Sequence, residues 1–320
     1  MRSIVVEQYG EPDVLRVVDT EAPSPGPGQV LVETAAAGVN FIDIYQRSGI
    51  YKVPLPFTPG SEAAGRVVAI GDGVERHAVG DRVATAEASG TYAERFVVDE
   101  AKAVSVPDGL DDATAAALPL QGFTAHYLAY SVFDAGPDDT VLVHAGAGGV
   151  GLLLTQMLKT KGARVITTVS TDDKEELSRQ AGADLVLRYD GFRDGVNDYT
   201  DAEGVSAVYD GVGKDTFDDS LGSLAVRGTF VLFGAASGPV PPVDPQRLNT
   251  GGSLFITRPS LGHFLRTPAE RAERASAVFD AVAAGRLDVR VGATYSLGDA
   301  AKAHSDLQGR RTTGKVVLVP

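Results

Sequence analysis

The hydrophobic pattern changes rhythm part-way along the chain. Up to about residue 122, short β-type runs follow one another: Ser3 to Gln8, Leu15 to Asp19, Gln29 to Ala37, Ala64 to Ile70, Asp81 to Ala84 and Tyr92 to Val98. Turn clusters such as Pro23-Ser24-Pro25-Gly26-Pro27-Gly28 and Gly71-Asp72-Gly73 separate them. Runs of this length bounded by Gly and Pro predict strands, and their succession predicts a β-rich domain. From residue 123 onward, apolar runs alternate with stretches of helical period, with candidate strands at 140–144, 164–169, 184–187, 205–210, 228–234 and 253–257. In the first helical stretch, Val150, Leu154, Met157 and Leu158 share one face, which should cover a sheet. Strand–helix alternation predicts a doubly wound parallel sheet. A helix is predicted over Pro268 to Ala284, ending at Gly285, and β-type runs follow at Val289 to Tyr295 and Lys315 to Val319. The last two look like strands returning to the first domain. The predicted organisation is α/β: a Rossmann domain at 123–264 inserted into a discontinuous β-rich domain, 1–122 plus 265–320. The active cleft is expected between them.

The most specific signal runs from Thr140 to Lys174, TVLVHAGAGGVGLLLTQMLKTKGARVITTVSTDDK. An apolar run, Val141 to Val143, leads into Gly146-Ala147-Gly148-Gly149-Val150-Gly151; a helical stretch and a second β-type run, Arg164 to Val169, follow. That is G-x-G-x-x-G in the strand–turn–helix–strand setting of a dinucleotide-binding fingerprint. Gly146 suits the tight turn, Gly148 a close approach to a pyrophosphate, and Gly151 close packing of helix on strand. The diphosphate would rest on free N–H groups at the positive helix end. In NAD-binding versions an acidic residue closes the second strand and takes the ribose hydroxyls. Here Ser170 holds that place, Lys174 follows near the start of the next helix, and Tyr189 ends the third β-type run, Ala183 to Leu187. Together these three favour a 2′-phosphate, so the expected cofactor is NADPH. Asp172 and Asp173 stand against it, since either could bond a ribose or repel the phosphate.

Composition narrows the class of partner. A net charge of −13 argues against nucleic acid or an anionic membrane, and means that any phosphate site is built locally. The chain has no cysteine, which removes disulfides, thiol catalysis and every Cys-based zinc or iron–sulfur site. His77, His126, His144, His263 and His304 show no ligand spacing such as H-E-x-x-H, and no metal site is expected. With 320 residues, two domains or one large one are expected, and 43% hydrophobic residues are ample for a real core. No secretory pattern opens the chain and no apolar run would span a bilayer, so the expected setting is cytoplasmic. Neither a G-x-S-x-G elbow nor a Walker A loop is present, leaving hydrolase and ATPase readings without support.

Over its whole length the chain resembles the medium-chain dehydrogenase/reductase superfamily. Within it, the resemblance is to the zinc-independent NADPH:quinone oxidoreductases, the zeta-crystallin-like branch. The segments that carry it are AAAGVNFIDIYQRSGIY (35–51), PGSEAAGRVVAIGDGV (59–74), GDRV (80–83), LPLQGFTAHYL (118–128), HAGAGGVG (144–151), YDGVG (209–213), FGAASG (233–238), FITRPSL (255–261) and GKVVLVP (314–320). The resemblance implies a GroES-like β-rich domain plus a Rossmann domain. Zinc-dependent members carry G-H-E-x-x-G with a ligating His; here Gly60-Ser61-Glu62-Ala63-Ala64-Gly65 has serine at that place. Where those enzymes have a cysteine ligand, Gly38-Val39-Asn40 offers asparagine, and their four-cysteine lobe has no counterpart. Without a Lewis acid an alcohol does not readily lose its proton. The implied reaction is therefore NADPH-dependent hydride transfer to a quinone. The alternatives are reduction of α,β-unsaturated carbonyls, enoyl thioesters included, or non-catalytic NADPH binding.

The resemblance also implies a set of site residues. Asn40, Asp43 and Tyr45 border the nicotinamide side, and Tyr51 faces the substrate end. Thr124 and Tyr127 sit in a hinge helix. Gly148, Gly149 and Val150 hold the pyrophosphate, and Ser170, Lys174 and Tyr189 hold the 2′-phosphate. Gly211, Phe233, Gly234 and Ala235 follow later strands, while Thr257, Arg258 and Arg310 close on the cofactor, with Arg311 the alternative to Arg310. Tyr51 and Asn40 are the candidate catalytic residues, as donors to the acceptor oxygen. Each has a plainer reading: Tyr51 packed against Pro54 and Pro56, Asn40 bonded to backbone. Asp43 either lines the site, orients Tyr45 or caps a helix. Glu62 is read as structural and His144 as a packed strand residue. A homodimer is implied through the edge strand within Gly252 to Leu261.

Overall fold

The computed structural model describes residues 1–320 and divides into two units: residues 1–123 with 265–320, and residues 124–264. The chain opens with an antiparallel pair, β1 (Arg2–Val5) and β2 (Arg16–Asp19). It continues through β3 (Gln29–Val39), α1 (Phe41–Arg47), β4 (Glu62–Ile70), β5 (Arg82–Thr85), β6 (Arg95–Asp99), β7 (Val104–Ser105), α2 (Asp112–Ala117) and α3 (Pro119–Tyr127). The second unit then runs β8 (Thr140–Val143), α4 (Gly149–Thr160), β9 (Arg164–Val169), α5 (Asp172–Gln180), β10 (Leu185–Arg188), α6 (Phe192–Tyr199), β11 (Val205–Asp210), α7 (Phe217–Leu221), β12 (Leu224–Leu232), α8 (Gln246–Thr250) and β13 (Phe255–Thr257). The chain returns to the first unit with α9 (Pro268–Ala283), β14 (Val291–Ser296), α10 (Ala300–Gln308) and β15 (Lys315–Val319).

The first unit is organised around β3. Its sheet has the order β14-β15-β3-β4-β5-β7, and β6 also pairs with β3. The last strand of the chain, β15, lies antiparallel to the far end of β3, with Leu318 opposite Ala37 and Val316 opposite Val39. Val30 and Val32 of β3 pack with Val67, Phe96, Val98 and Leu318 in a core that also takes Ile4 and Tyr92. α9 starts at a capping box: Thr267 Oγ1 accepts the Glu270 N–H at 3.1 Å, and Glu270 Oε2 accepts the Thr267 N–H at 3.2 Å. Such a cap is worth about 1 kcal/mol. The helix buries Val278 and Phe279, and Phe279 meets Phe123 edge-on at 6.5 Å.

The second unit is a six-stranded parallel sheet of order β10-β9-β8-β11-β12-β13. Leu142, Ile166, Val208 and Phe230 from four neighbouring strands meet Phe192 of α6 and Phe217 of α7 in its core. This is the Rossmann architecture the alternating pattern predicts, and the first unit is the β-rich one.

Local readings needed correction where pairing partners override the pattern. Residues 92–94 are not strand. Tyr92 N–H donates to Pro59 O, and Ala93 bridges Ser3, before the chain joins β3 at Arg95. β12 starts earlier than predicted, at Leu224, and bends at Arg227, which takes a left-handed conformation. α4 buries more than one face: Leu152 and Leu153 are as enclosed as Leu154, Met157 and Leu158.

Candidate functional site

Because all six strands of the second unit run parallel, their carboxyl ends share one edge. The strand order reverses between β8 and β11, the place where α/β sheets open a crevice for ligands. Most of the residues expected to hold the cofactor end up along this edge. They are the glycine turn after β8, Ser170 after β9, Tyr189 after β10, Gly211 after β11, Phe233, Gly234 and Ala235 after β12, and Thr257 and Arg258 at β13.

The glycine turn is tight because backbone packs on backbone. Gly146 N–H donates to Thr168 O at 3.0 Å and Gly148 N–H to Ala145 O at 2.8 Å. A Cβ at Gly151 would fall 2.2 Å from Ala145 O, and one at Gly146 2.6 Å from Thr167 Cβ. Gly148 caps α4 without a side chain. The N–H groups of the first turn, from Gly149, Val150 and Gly151, have no acceptor inside the helix. Half-buried backbone donors at a positive helix end fit a diphosphate, so the turn fits a dinucleotide. After β11 and β12 the fit is just as close: a Cβ on Gly234 would lie 2.5 Å from Gly211 O.

Ser170 and Lys174 are brought together at the end of β9, with Lys174 Nζ donating to Ser170 Oγ at 3.3 Å. Arg188 answers the objection raised by Asp172. Its Nη2 lies 2.5 Å from Asp172 Oδ1 and 2.8 Å from Glu175 Oε2, which sets one positive charge against both carboxylates. The pair is partly exposed and adds little stability; its effect is on local charge. Tyr189 lies nearly parallel to the His144 ring, 6.2 Å away. His144 itself is buried between Thr168 Oγ1 at 2.7 Å and Ser220 Oγ at 2.8 Å, and burial lowers its pKa. Asp210, which the sequence reading passed over, builds the loop that presents Gly211. Its carboxylate accepts the N–H groups of Val212 at 2.6 Å and Gly213 at 2.9 Å and the Thr216 hydroxyl at 2.7 Å. The Asp-Gly at a strand end was the available signal.

In the first unit, the candidate residues cluster at the start of α1. Asp43 is fully buried. Its Oδ2 accepts the Asn40 N–H at 2.8 Å and the Tyr92 hydroxyl at 3.0 Å, capping the helix from within. Asn40 is buried beside it. Its Nδ2 donates to Glu62 Oε2 at 2.8 Å and to Gly38 O at 3.4 Å, and its Oδ1 accepts from Lys315 Nζ at 2.7 Å. With both amide hydrogens committed, it has none for a carbonyl oxygen. Tyr51 is 42% exposed and sits edge-on to Tyr45 at 5.3 Å. Arg311 is committed to Asp306 at 2.9 Å, while Arg310, in a left-handed conformation, is exposed. Thr124 and Tyr127 are buried, and Tyr127 stacks on Phe264 at 4.3 Å.

Comparison with known proteins agrees with this geometry. Residues 26–108 match the alcohol dehydrogenase GroES-like domain and residues 149–284 the zinc-binding dehydrogenase family. A quinone oxidoreductase of Pseudomonas aeruginosa is 44% identical over 98% of this chain and 97% of its own. The chain belongs to the quinone oxidoreductase branch of the medium-chain dehydrogenase/reductases. Another relative in this family, a 2-haloacrylate reductase of a Burkholderia species, is 40% identical over 99% of this chain and 98% of its own. A mycobacterial protein solved in complex with NADPH is 54% identical, with a TM-score of 0.98 over all of both chains. No three His, Asp or Glu side chains converge, there is no cysteine, and Ser61 stands where zinc-dependent members have histidine. No helix is long and apolar enough to cross a membrane.

Proposed function

We propose that the protein reduces quinones with NADPH, without a metal. The observation that carries this reading is the glycine cradle at α4 with Ser170 and Lys174 at the next strand end, in a chain of the quinone oxidoreductase family. Bound NADPH supplies a hydride from its nicotinamide. The chain's own residues bind and orient. Backbone N–H groups of Gly149 and Val150 take the diphosphate. Ser170, Lys174 and Tyr189 take the 2′-phosphate, with Arg188 holding Asp172 away from it. Gly211, Phe233, Gly234, Ala235, Thr257, Arg258 and Arg310 complete the cofactor's surroundings. As the acceptor gains electrons its oxygen gains basicity, and the Tyr51 hydroxyl is the donor that meets it. Solvent supplies the final proton, so no strong general acid is required.

Reduction of an activated alkene is the second reading, favoured by the 2-haloacrylate reductase among the relatives. It uses the same hydride and the same donor. We also assign a homodimer, supported by β13: it ends the sheet, and Phe255 and Ile256 are 60% and 39% exposed. An NADPH-consuming reductase needs a compartment that regenerates the nucleotide, which favours the cytoplasm.

The deciding experiment follows absorbance at 340 nm with NADPH and, in turn, a benzoquinone, a naphthoquinone and a short 2-alkenal, each repeated with NADH. Fast oxidation with a quinone and slow oxidation with the alkenal is expected. The reverse order establishes the alkene reading. NADPH that binds and is oxidised by no acceptor leaves a non-catalytic binding protein.

A further inference from the structure

Three polar side chains from distant elements meet inside the first unit. Lys315 opens β15, Glu62 opens β4 and Asn40 follows β3; all three are buried. Lys315 Nζ donates to Glu62 Oε2 and, at 2.7 Å, to Asn40 Oδ1. Asn40 Nδ2 donates to the same Glu62 oxygen at 2.8 Å, and Glu62 Oε1 accepts the Leu120 N–H at 2.7 Å. Gly38 leaves the room for this group. A Cβ there would fall 2.2 Å from Glu62 Oε2 and 2.8 Å from Lys315 Cε.

Stability does not account for such a group. A buried ion pair usually fails to recover its desolvation cost, and apolar residues of like volume often hold a core as well or better. What the pair does hold is Asn40, and Asn40 begins α1. Its side chain is fixed by Lys315 and Glu62 and its N–H by Asp43. One turn along the helix is Tyr45. The Tyr51 N–H donates to Tyr45 O at 2.9 Å, and the two rings meet edge-on. The placement of Tyr51 therefore traces back through α1 to the ion pair.

We infer that Glu62 and Lys315 are positioning residues for the reduction: by anchoring Asn40 they set α1, and through Tyr45 they set the Tyr51 hydroxyl against the acceptor oxygen. The inference rests on the reductase reading above. Neither Glu62 nor Lys315 touches the acceptor.

The test is a double-mutant cycle between Lys315→Met and Tyr51→Phe, read by steady-state NADPH oxidation with a benzoquinone, NADPH affinity by fluorescence, and Tm. Lys315→Met is expected to lower kcat about tenfold with little change in NADPH affinity. In the Tyr51→Phe background the same change is expected to cost less than about twofold, because the two residues act as one unit. Lys315→Arg takes its place in the cycle where the methionine variant does not fold. It keeps the charge but cannot set a single ammonium between Glu62 and Asn40. Equal fold-losses in both backgrounds, or an unchanged kcat, overturn the inference. A wild-type protein that no quinone or alkenal turns over overturns the reductase reading instead, before any variant is compared.

Discussion

Burial pushes the Asp43 carboxyl up to about 7, against the hydrogen bonds of Asn40 and Tyr92 and the charge of Lys315. Burial, helped by Arg47, holds His304 down at about 3. Tyr92 bridges the two: its hydroxyl donates to Asp43 and lies 3.1 Å from His304 Nε2. Their effects on stability have opposite signs. Asp43 keeps its proton in the fold above the ordinary value of 3.8, so its contribution is full below that pH and is lost as pH rises through about 7. His304 stays neutral in the fold below the ordinary 6.5, so its contribution is full above that pH and is lost as pH falls towards about 3. Between about pH 4 and 6.5 the two slopes nearly cancel. Asp43→Asn is expected to unmask His304, so that stability drops as pH falls through this window, with a limiting slope of about 1.4 kcal/mol per pH unit. His304→Gln is expected to do the opposite. Urea midpoints at a series of pH values decide it, and the same pH profile in both variants would falsify the assignment. Little of this was legible beforehand. The sequence offers helix capping as one reading of Asp43, but Tyr92 lies 49 residues from Asp43, and His304 lies 212 residues beyond Tyr92. Lys315 did carry a signal, a lone charge opening the apolar run Val316 to Val319, which no local pattern could pair with Glu62.

At the scale of elements, the strand–turn–helix at β8 and α4 was the most legible part of the molecule. Its chemistry is local: glycine spacing decides both the turn and the helix end. Gly151→Ala puts a methyl against the Ala145 carbonyl and is expected to cost about 1–3 kcal/mol of stability. It should also weaken NADPH binding, measured by nucleotide fluorescence, because the helix end must retreat from the turn. The proposed 2′-phosphate site at the end of β9 makes the choice of nucleotide testable. Ser170→Asp places a carboxylate where the 2′-phosphate would lie, and the NADPH-over-NADH preference in kcat/KM is expected to drop by about tenfold or more. An unchanged preference would move the phosphate site away from Ser170 and Lys174. What stayed hidden was the Arg188 pairing, since β10 and α5 meet only after the sheet has formed.

For the whole molecule, the change of rhythm near residue 123 and the returning strands were readable because β and βα patterns differ in period. Strand ends were less so: residues 92–94 read as strand and bond elsewhere. The exposed edge at β13 gives a test of assembly. Phe255→Asp is expected to shift a dimer to monomer in light scattering with the far-UV circular dichroism spectrum unchanged, since Phe255 is exposed within one chain. A chain that is monomeric at the start rejects the dimer.

The pairing of β15 with β3 has a consequence for how the protein is made. Glu62 leaves the ribosome 253 residues before its partner Lys315. At about 5–20 residues per second that interval is roughly 13–50 s. Throughout it the β3–β4 sheet lacks the strand that seals it, and Glu62 has no counter-charge. Residues 124–264, contiguous and with a core of their own, need not wait. A chain stopped at Thr313 is expected to protect that segment from protease and expose the rest. The unit begun first at the ribosome is thus the one completed last, and the stopped chain is expected to bind NADPH before the Lys315 anchor of α1 is in place.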